Sequence, residues 1–113
     1  MDQIDIQQQQ GTNPETTILR INGALTLGNL HHLQATLKAS TPKNLIVDLT
    51  AAPYMDSAGL GAMLGQWAQC QRNGGKFALT GVPDRIMSLL DMTKTRDVIT
   101  QYKTAEIADA AFA

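Results

Sequence analysis

Leu45-Ile46-Val47 is apolar at three consecutive positions, and Asn44 and Asp48 bound the run too closely for a helix. Successive side chains of a strand point to opposite faces, so a strand without polar alternation is covered on both sides. That requirement selects a parallel sheet lying between helices and places this strand near its centre. The sequence on either side supplies the covering. From Leu27 onward the period is helical, with Leu30, Leu33 and Leu37 on one stripe and His31, Gln34 and Lys38 turned away. Ser40-Thr41-Pro42 closes that helix, because the residue before a proline is pushed out of helical conformation. After a loop from Ala51 to Asp56, Leu60, Met63, Leu64 and Trp67 mark a second amphipathic helix running to about Asn73, where Gly74-Gly75 stops it.

The remaining segments continue the alternation. Ile4 to Gln7 alternates apolar with polar, as an edge strand does, and Gln7 to Gln10 is a low-complexity run. Gly11-Thr12-Asn13-Pro14 turns the chain into a second strand, Thr16 to Asn22, with Leu19 and Ile21 on the inner face. Lys76 to Thr80 reads as another strand, Ile86, Leu89 and Leu90 as the inner stripe of a third helix, Val98-Ile99 as a last short strand, and Ala105 to Phe112 as a terminal helix. The sum is an N-terminal hairpin followed by strand and helix in alternation. The fold class is therefore α/β, or α+β if the helices gather on one face: a mixed sheet of four to five strands covered by about four helices, in one domain over residues 1–113.

A chain of 113 residues, 43% hydrophobic, is long enough for one core and too short for two. Nine basic against ten acidic residues leave a net charge of -1, too near neutral for a surface built to grip phosphate backbones, so no direct nucleic-acid partner is expected. Cys70 is the only cysteine, which excludes an internal disulfide and fits a reducing compartment, the cytoplasm. The polar, acidic start Met1-Asp2-Gln3-Ile4-Asp5 is unlike a signal peptide, and no apolar run approaches the ~20 residues of a membrane span.

Candidate chemistry concentrates in Tyr54-Met55-Asp56-Ser57-Ala58-Gly59-Leu60-Gly61, where the buried strand and its loop deliver the chain to the second helix. Asp56 is a good N-cap, its carboxylate accepting from first-turn amides for about 1 kcal/mol. Ser57 then falls in the first turn, in the crevice at the carboxyl end of the sheet where such folds keep functional groups. On spacing alone the plain cap is the favoured reading of Asp-Ser, since caps outnumber sites. The same helix carries small residues at Ala58, Gly61, Ala62, Gly65 and Ala68, although each interior glycine costs ~1 kcal/mol against alanine. Two readings account for that expense: tight packing on the sheet, or a surface where a partner backbone docks.

Other positions are less informative. His31 and His32 are adjacent on a helix and point apart, which does not suit two ligands on one metal. Cys70 lacks a CxxC companion and reads as a buried structural thiol. Gly75-Lys76-Phe77 lacks the spacing and hydroxyl of a phosphate-binding loop, and Ser57 lacks a Gly-x-Ser-x-Gly elbow. No metal and no cofactor are expected.

Asn44-Leu45-Ile46-Val47-Asp48-Leu49, Asp56-Ser57-Ala58-Gly59-Leu60-Gly61 and Thr80-Gly81-Val82-Pro83, taken together and in this order, resemble the STAS domain of bacterial anti-sigma factor antagonists over nearly the whole chain. The resemblance implies a switch without catalytic activity of its own. The unphosphorylated form binds an anti-sigma factor that is also a serine kinase and so frees the sigma factor; the kinase then phosphorylates the antagonist, with Ser57 as acceptor and Asp56 shaping the site. Expected partner contacts are Thr26, Met55, Asp56, Ser57, Ala58, Gly59, Leu60 and Gly61, on a monomer or weak dimer. Two departures stand out. Family members often have Gly-x-Leu-Asp where this chain has Gly23-Ala24-Leu25-Thr26, and Ala58 replaces a second small hydroxyl residue, leaving Ser57 as the motif's hydroxyl. A different role is a STAS subunit of an ATP-driven lipid-transport complex, in which Ser57 caps a helix and is never phosphorylated. A nucleotide-binding or enzymatic role rests on architecture alone, which decides no function.

Overall fold

The computed structural model of the protein describes residues 3–39 and 42–113. Its centre is a five-stranded sheet in the order β1-β2-β3-β4-β5, formed by β1 (Asp5–Gln10), β2 (Thr16–Asn22), β3 (Asn44–Asp48), β4 (Phe77–Thr80) and β5 (Thr100–Tyr102). β1 runs antiparallel to β2, and each later pair is parallel. The helices are α1 (Leu30–Ala39), α2 (Ser57–Arg72), α3 (Asp84–Met92) and α4 (Ala105–Phe112).

Cross-strand register explains why the central run has no polar alternate. Ile18, Ile46 and Ala78 form one row across β2, β3 and β4, while Leu19, Val47 and Leu79 form the next. The second row lies in a core with Leu33 and Leu37 of α1, Leu60 and Met63 of α2, and Ile86 and Leu90 of α3. The first row packs against Ala105, Ala108 and Phe112 of α4. Three helices therefore cover one face and the fourth covers the other, which makes the molecule a three-layer α/β structure. Each layer is needed, because an uncovered row of β3 would expose Ile46 or both Leu45 and Val47 to water.

A polar node fastens α4 to the sheet. Arg20 Nη1 donates to Asp48 Oδ2 at 2.8 Å and Nη2 to Glu106 Oε2 at 3.1 Å. The other Asp48 oxygen accepts from the hydroxyls of Thr50 (2.7 Å) and Thr80 (3.2 Å), so this buried carboxylate is fully partnered.

Three boundaries differ from the sequence reading. β1 extends through Gln10, since the ladder with β2 is made by the backbone and glutamine side chains do not interrupt it. α1 starts at Leu30 rather than Leu27: Asn29 Oδ1 accepts from Thr26 N at 3.0 Å and Asn29 Nδ2 donates to Ala24 O at 2.8 Å, closing a turn ahead of the helix and leaving Leu27 73% exposed. The last strand is Thr100–Tyr102; the amides of Val98 and Ile99 both donate to Thr95 O, which folds that pair into a turn from which Ile99 reaches the core. Ser40-Thr41, expected to close α1, lies outside the described residues.

Candidate functional site

The loop before α2 is held against the segment before α1. Leu25 and Met55 form an isolated parallel bridge, Leu25 N donates to Tyr54 O at 3.1 Å, and Asp56 N donates to Leu25 O at 3.2 Å. The pairing brings Thr26 and Leu27 beside the start of α2, although about thirty residues separate the two segments in sequence. Asp56 then joins them through its side chain. Its backbone is extended, as an N-cap requires; Oδ1 accepts from Gly59 N at 2.8 Å and Oδ2 accepts from Leu27 N at 3.1 Å. The Gly59 amide, assisted by that of Leu27, holds the Asp56 carboxyl below its ordinary range.

Ser57 is the first residue of a 16-residue helix and is exposed. Its position presents a hydroxyl at the positive end of the helix dipole, beside an ionised carboxylate already committed to two amides. Gly61 is also exposed, and Asp56, Ala58 and Thr26 are half-buried. Met55, Gly59 and Leu60 are buried in the isolated chain. Met55 and Leu60 are apolar anchors of the core, and Gly59 lets the helix approach the Leu25 backbone, whose carbonyl oxygen would lie 2.6 Å from an added Cβ.

The small residues of α2 thus divide by cause. Gly59 answers to packing. At Gly61 and Gly65 a Cβ would meet nothing within 4 Å, so packing inside the chain explains neither. Both line an open groove of about 410 Å³ between α1 and α2, with Ala58 on their own helix and Leu30, Leu33 and Leu37 opposite.

Two features here were not singled out from the sequence. Leu27 is exposed next to the Asp56 cap, and its apolarity had suggested a helix stripe instead. Arg85, at the start of α3, stacks over the Tyr54 ring at 4.7 Å. Nothing in the sequence ties positions 54 and 85; the β4–α3 turn brings them together. Thr26 donates its amide to Asn29, and its Oγ1 is buried without a hydrogen-bond partner among the described residues.

Elsewhere, His31 and His32 are exposed on α1, and Cys70 is buried, which pushes its thiol upward. Among the described residues, no three His, Cys, Asp or Glu side chains are grouped to hold a metal ion, and no helix is long and apolar enough to cross a membrane.

The class defined by this geometry is a three-layer α/β domain that presents a serine hydroxyl and a shallow apolar surface. The STAS domain model matches residues 3–108, and the chain belongs to that family. The anti-sigma-B factor antagonist of Listeria monocytogenes is 36% identical over 55 residues, a stretch covering 49% of this chain and 48% of that protein, so the match spans about half the length of that relative. Among solved structures, an anti-sigma factor antagonist from Mycobacterium paratuberculosis superposes with a TM-score of 0.83 at 18% identity, covering 98% of this chain and 95% of that one. The Bacillus cell fate determinant SpoIIAA in its phosphorylated form gives a TM-score of 0.73 at 17% identity, covering 95% and 99% of the two chains. At these identities the likeness to the solved structures is one of fold.

Proposed function

We propose that this protein is an anti-sigma factor antagonist, a protein-binding module that acts by occupancy and carries out no catalysis. Its unphosphorylated form binds an anti-sigma factor that is also a serine kinase, and the sigma factor is released. Phosphorylation of Ser57 by that kinase turns binding off. The observation that carries the reading is the exposure of Ser57 at the first position of α2, beside an Asp56 whose carboxylate is held by the amides of Gly59 and Leu27. A phosphate there adds about -1.5 to -2 charges next to an existing carboxylate. Desolvating that charge against a docked partner is unfavourable, whereas the helix N-terminus tolerates it in water. The block is then local to the interface and the domain stays folded.

The relatives support this role: the Listeria protein is named an anti-sigma-B factor antagonist, and a domain of the same fold has been solved in a phosphorylated form. A net charge of -1 favours a protein partner over nucleic acid, and one buried thiol suits the cytoplasm, where sigma factors work. The test is a pull-down from source-cell lysate with wild type, Ser57→Ala and Ser57→Asp as baits. An ATP-binding anti-sigma factor should be retained by the first two. Binding by Ser57→Asp should fall at least ~100-fold, because like-charge juxtaposition at an interface costs several kcal/mol. Equal retention on all three baits would sink the switch, and an ATP-driven transporter among the retained proteins would instead make this a transport subunit with Ser57 as a plain helix cap.

A further inference from the structure

Among the described residues β1 stands first in the sheet order and is bonded to β2 alone. The alternation of an antiparallel ladder decides which of its backbone groups are free. Gly11 N donates to Thr16 O at 2.8 Å, extending the ladder one residue beyond the strand. Counting back by twos from that pair, Gln9 bonds with Ile18, Gln7 with Arg20 and Asp5 with Asn22. The N–H and C=O groups of Ile6, Gln8 and Gln10 therefore point away from the sheet.

Exposed edges are ordinarily blunted by charge, proline, a bulge or short length. β1 has none of these along its middle: it is six residues long, pairs with β2 in unbroken register, contains no proline, and carries one charge, Asp5, at its start. The opposite edge, β5, has only three residues and is followed at once by Lys103.

We propose that the β1 edge pairs with the β1 edge of a second copy of this chain, antiparallel about a two-fold axis through Gln8, joining two five-stranded sheets into one. The strand is complementary to itself in that register. Gln8 faces its own mate, Ile6 faces Gln10 of the second copy, and Asp5 faces Gly11, beside which Asp109 lies, so the two Asp5 carboxylates do not face each other and the like charges sit at the ends of the contact, away from its axis. Three N–H and three C=O groups on each chain pair to give six hydrogen bonds across the axis. The facing glutamine amides each offer donors and an acceptor, so identical side chains satisfy one another without net charge. One long edge per chain closes the assembly at two. The contact is also small: six residues a side compare with ~20–30 in a standard interface, so the dimer is reversible and depends on concentration.

Sedimentation equilibrium of the full chain, from micromolar to millimolar concentration, tests this. The wild-type mass should rise from 12.2 kDa toward twice that value. Gln8→Pro removes an outward N–H and leaves the β2 ladder intact, so it should stay at the monomer mass with an unchanged far-UV circular dichroism spectrum. Gln8→Lys, which sets two ammonium groups against each other at the axis, should associate several-fold more weakly at low salt and recover as salt is added. A wild type that remains at 12.2 kDa throughout, or either variant associating as the wild type does, would overturn the proposal.

Discussion

Gly59 and Gly61 stand two positions apart on α2 and answer to opposite demands. An added Cβ on Gly59 would sit 2.6 Å from the Leu25 carbonyl oxygen and 2.8 Å from Met55 Cγ, and the first of these is backbone that cannot swing aside. On Gly61 the same atom enters open space. Gly59→Ala is expected to destabilise the protein by about 1–3 kcal/mol, the range of overpacking in a filled core. Gly61→Ala is expected to stabilise it by up to ~1 kcal/mol, the helix-propensity difference between the two residues at an exposed site. Urea unfolding of both variants checks the pair, and equal effects would show that the groove side of α2 is as constrained as its inner side. The sequence records two glycines in a helix and nothing that separates them; the difference arises because the Leu25–Met55 bridge presses backbone against one of them only.

At the level of the element, α2 owes its start to Asp56, and that residue shows what a local pattern reveals. The cap was legible because N-capping is a short-range interaction: Asp56 accepts from Gly59, three residues on. The second acceptance, from Leu27 N, was not legible, since it needs a loop from a distant part of the chain. Asp56→Ala should cost about 1 kcal/mol at neutral pH. The amides hold the folded carboxyl below its unfolded value of 3.8, so the contribution is fully present above pH 3.8 and is lost as pH falls through the lower folded value. The stability gap between wild type and Asp56→Ala, followed by urea unfolding across the acid range, should therefore shrink below pH 3.8. A gap that stays constant would exclude the ionised cap as its source. The boundary errors have the same origin. Leu27 and Val98 look like parts of periodic elements by residue type, yet each lies in a turn closed by hydrogen bonds, to Asn29 and to Thr95 respectively.

For the molecule as a whole, the proposed switch demands that charge at Ser57 alter binding and leave the fold intact. The site lies at the rim of the sheet, on a helix whose inner stripe is Leu60, Met63 and Cys70, and Ser57 belongs to neither apolar cluster. Ser57→Asp places a second carboxylate beside Asp56 and also an acid in the first turn of α2. These opposing effects are each below ~1 kcal/mol, and ~1 kcal/mol moves Tm by about 4–8 °C in a domain near this size, so Tm should stay within about 5 °C of wild type in calorimetry. A collapse in Tm would make any loss of binding a folding defect. The chain's own residues determined the layering: Leu45-Ile46-Val47 without polar relief requires cover on both faces, and the helical stripes around it provide that cover, because hydrophobic period depends only on which residues follow one another. They also determined the cap and the position of Ser57. Tertiary structure alone decided that three helices share one face, that Met55 and Gly59 are interior, that Leu27 and Arg85 come to the rim, and that the glutamine run is a regular open edge. Each of those outcomes depends on segments distant in sequence meeting in space, and side-chain order along one segment carries no record of what will be packed against it.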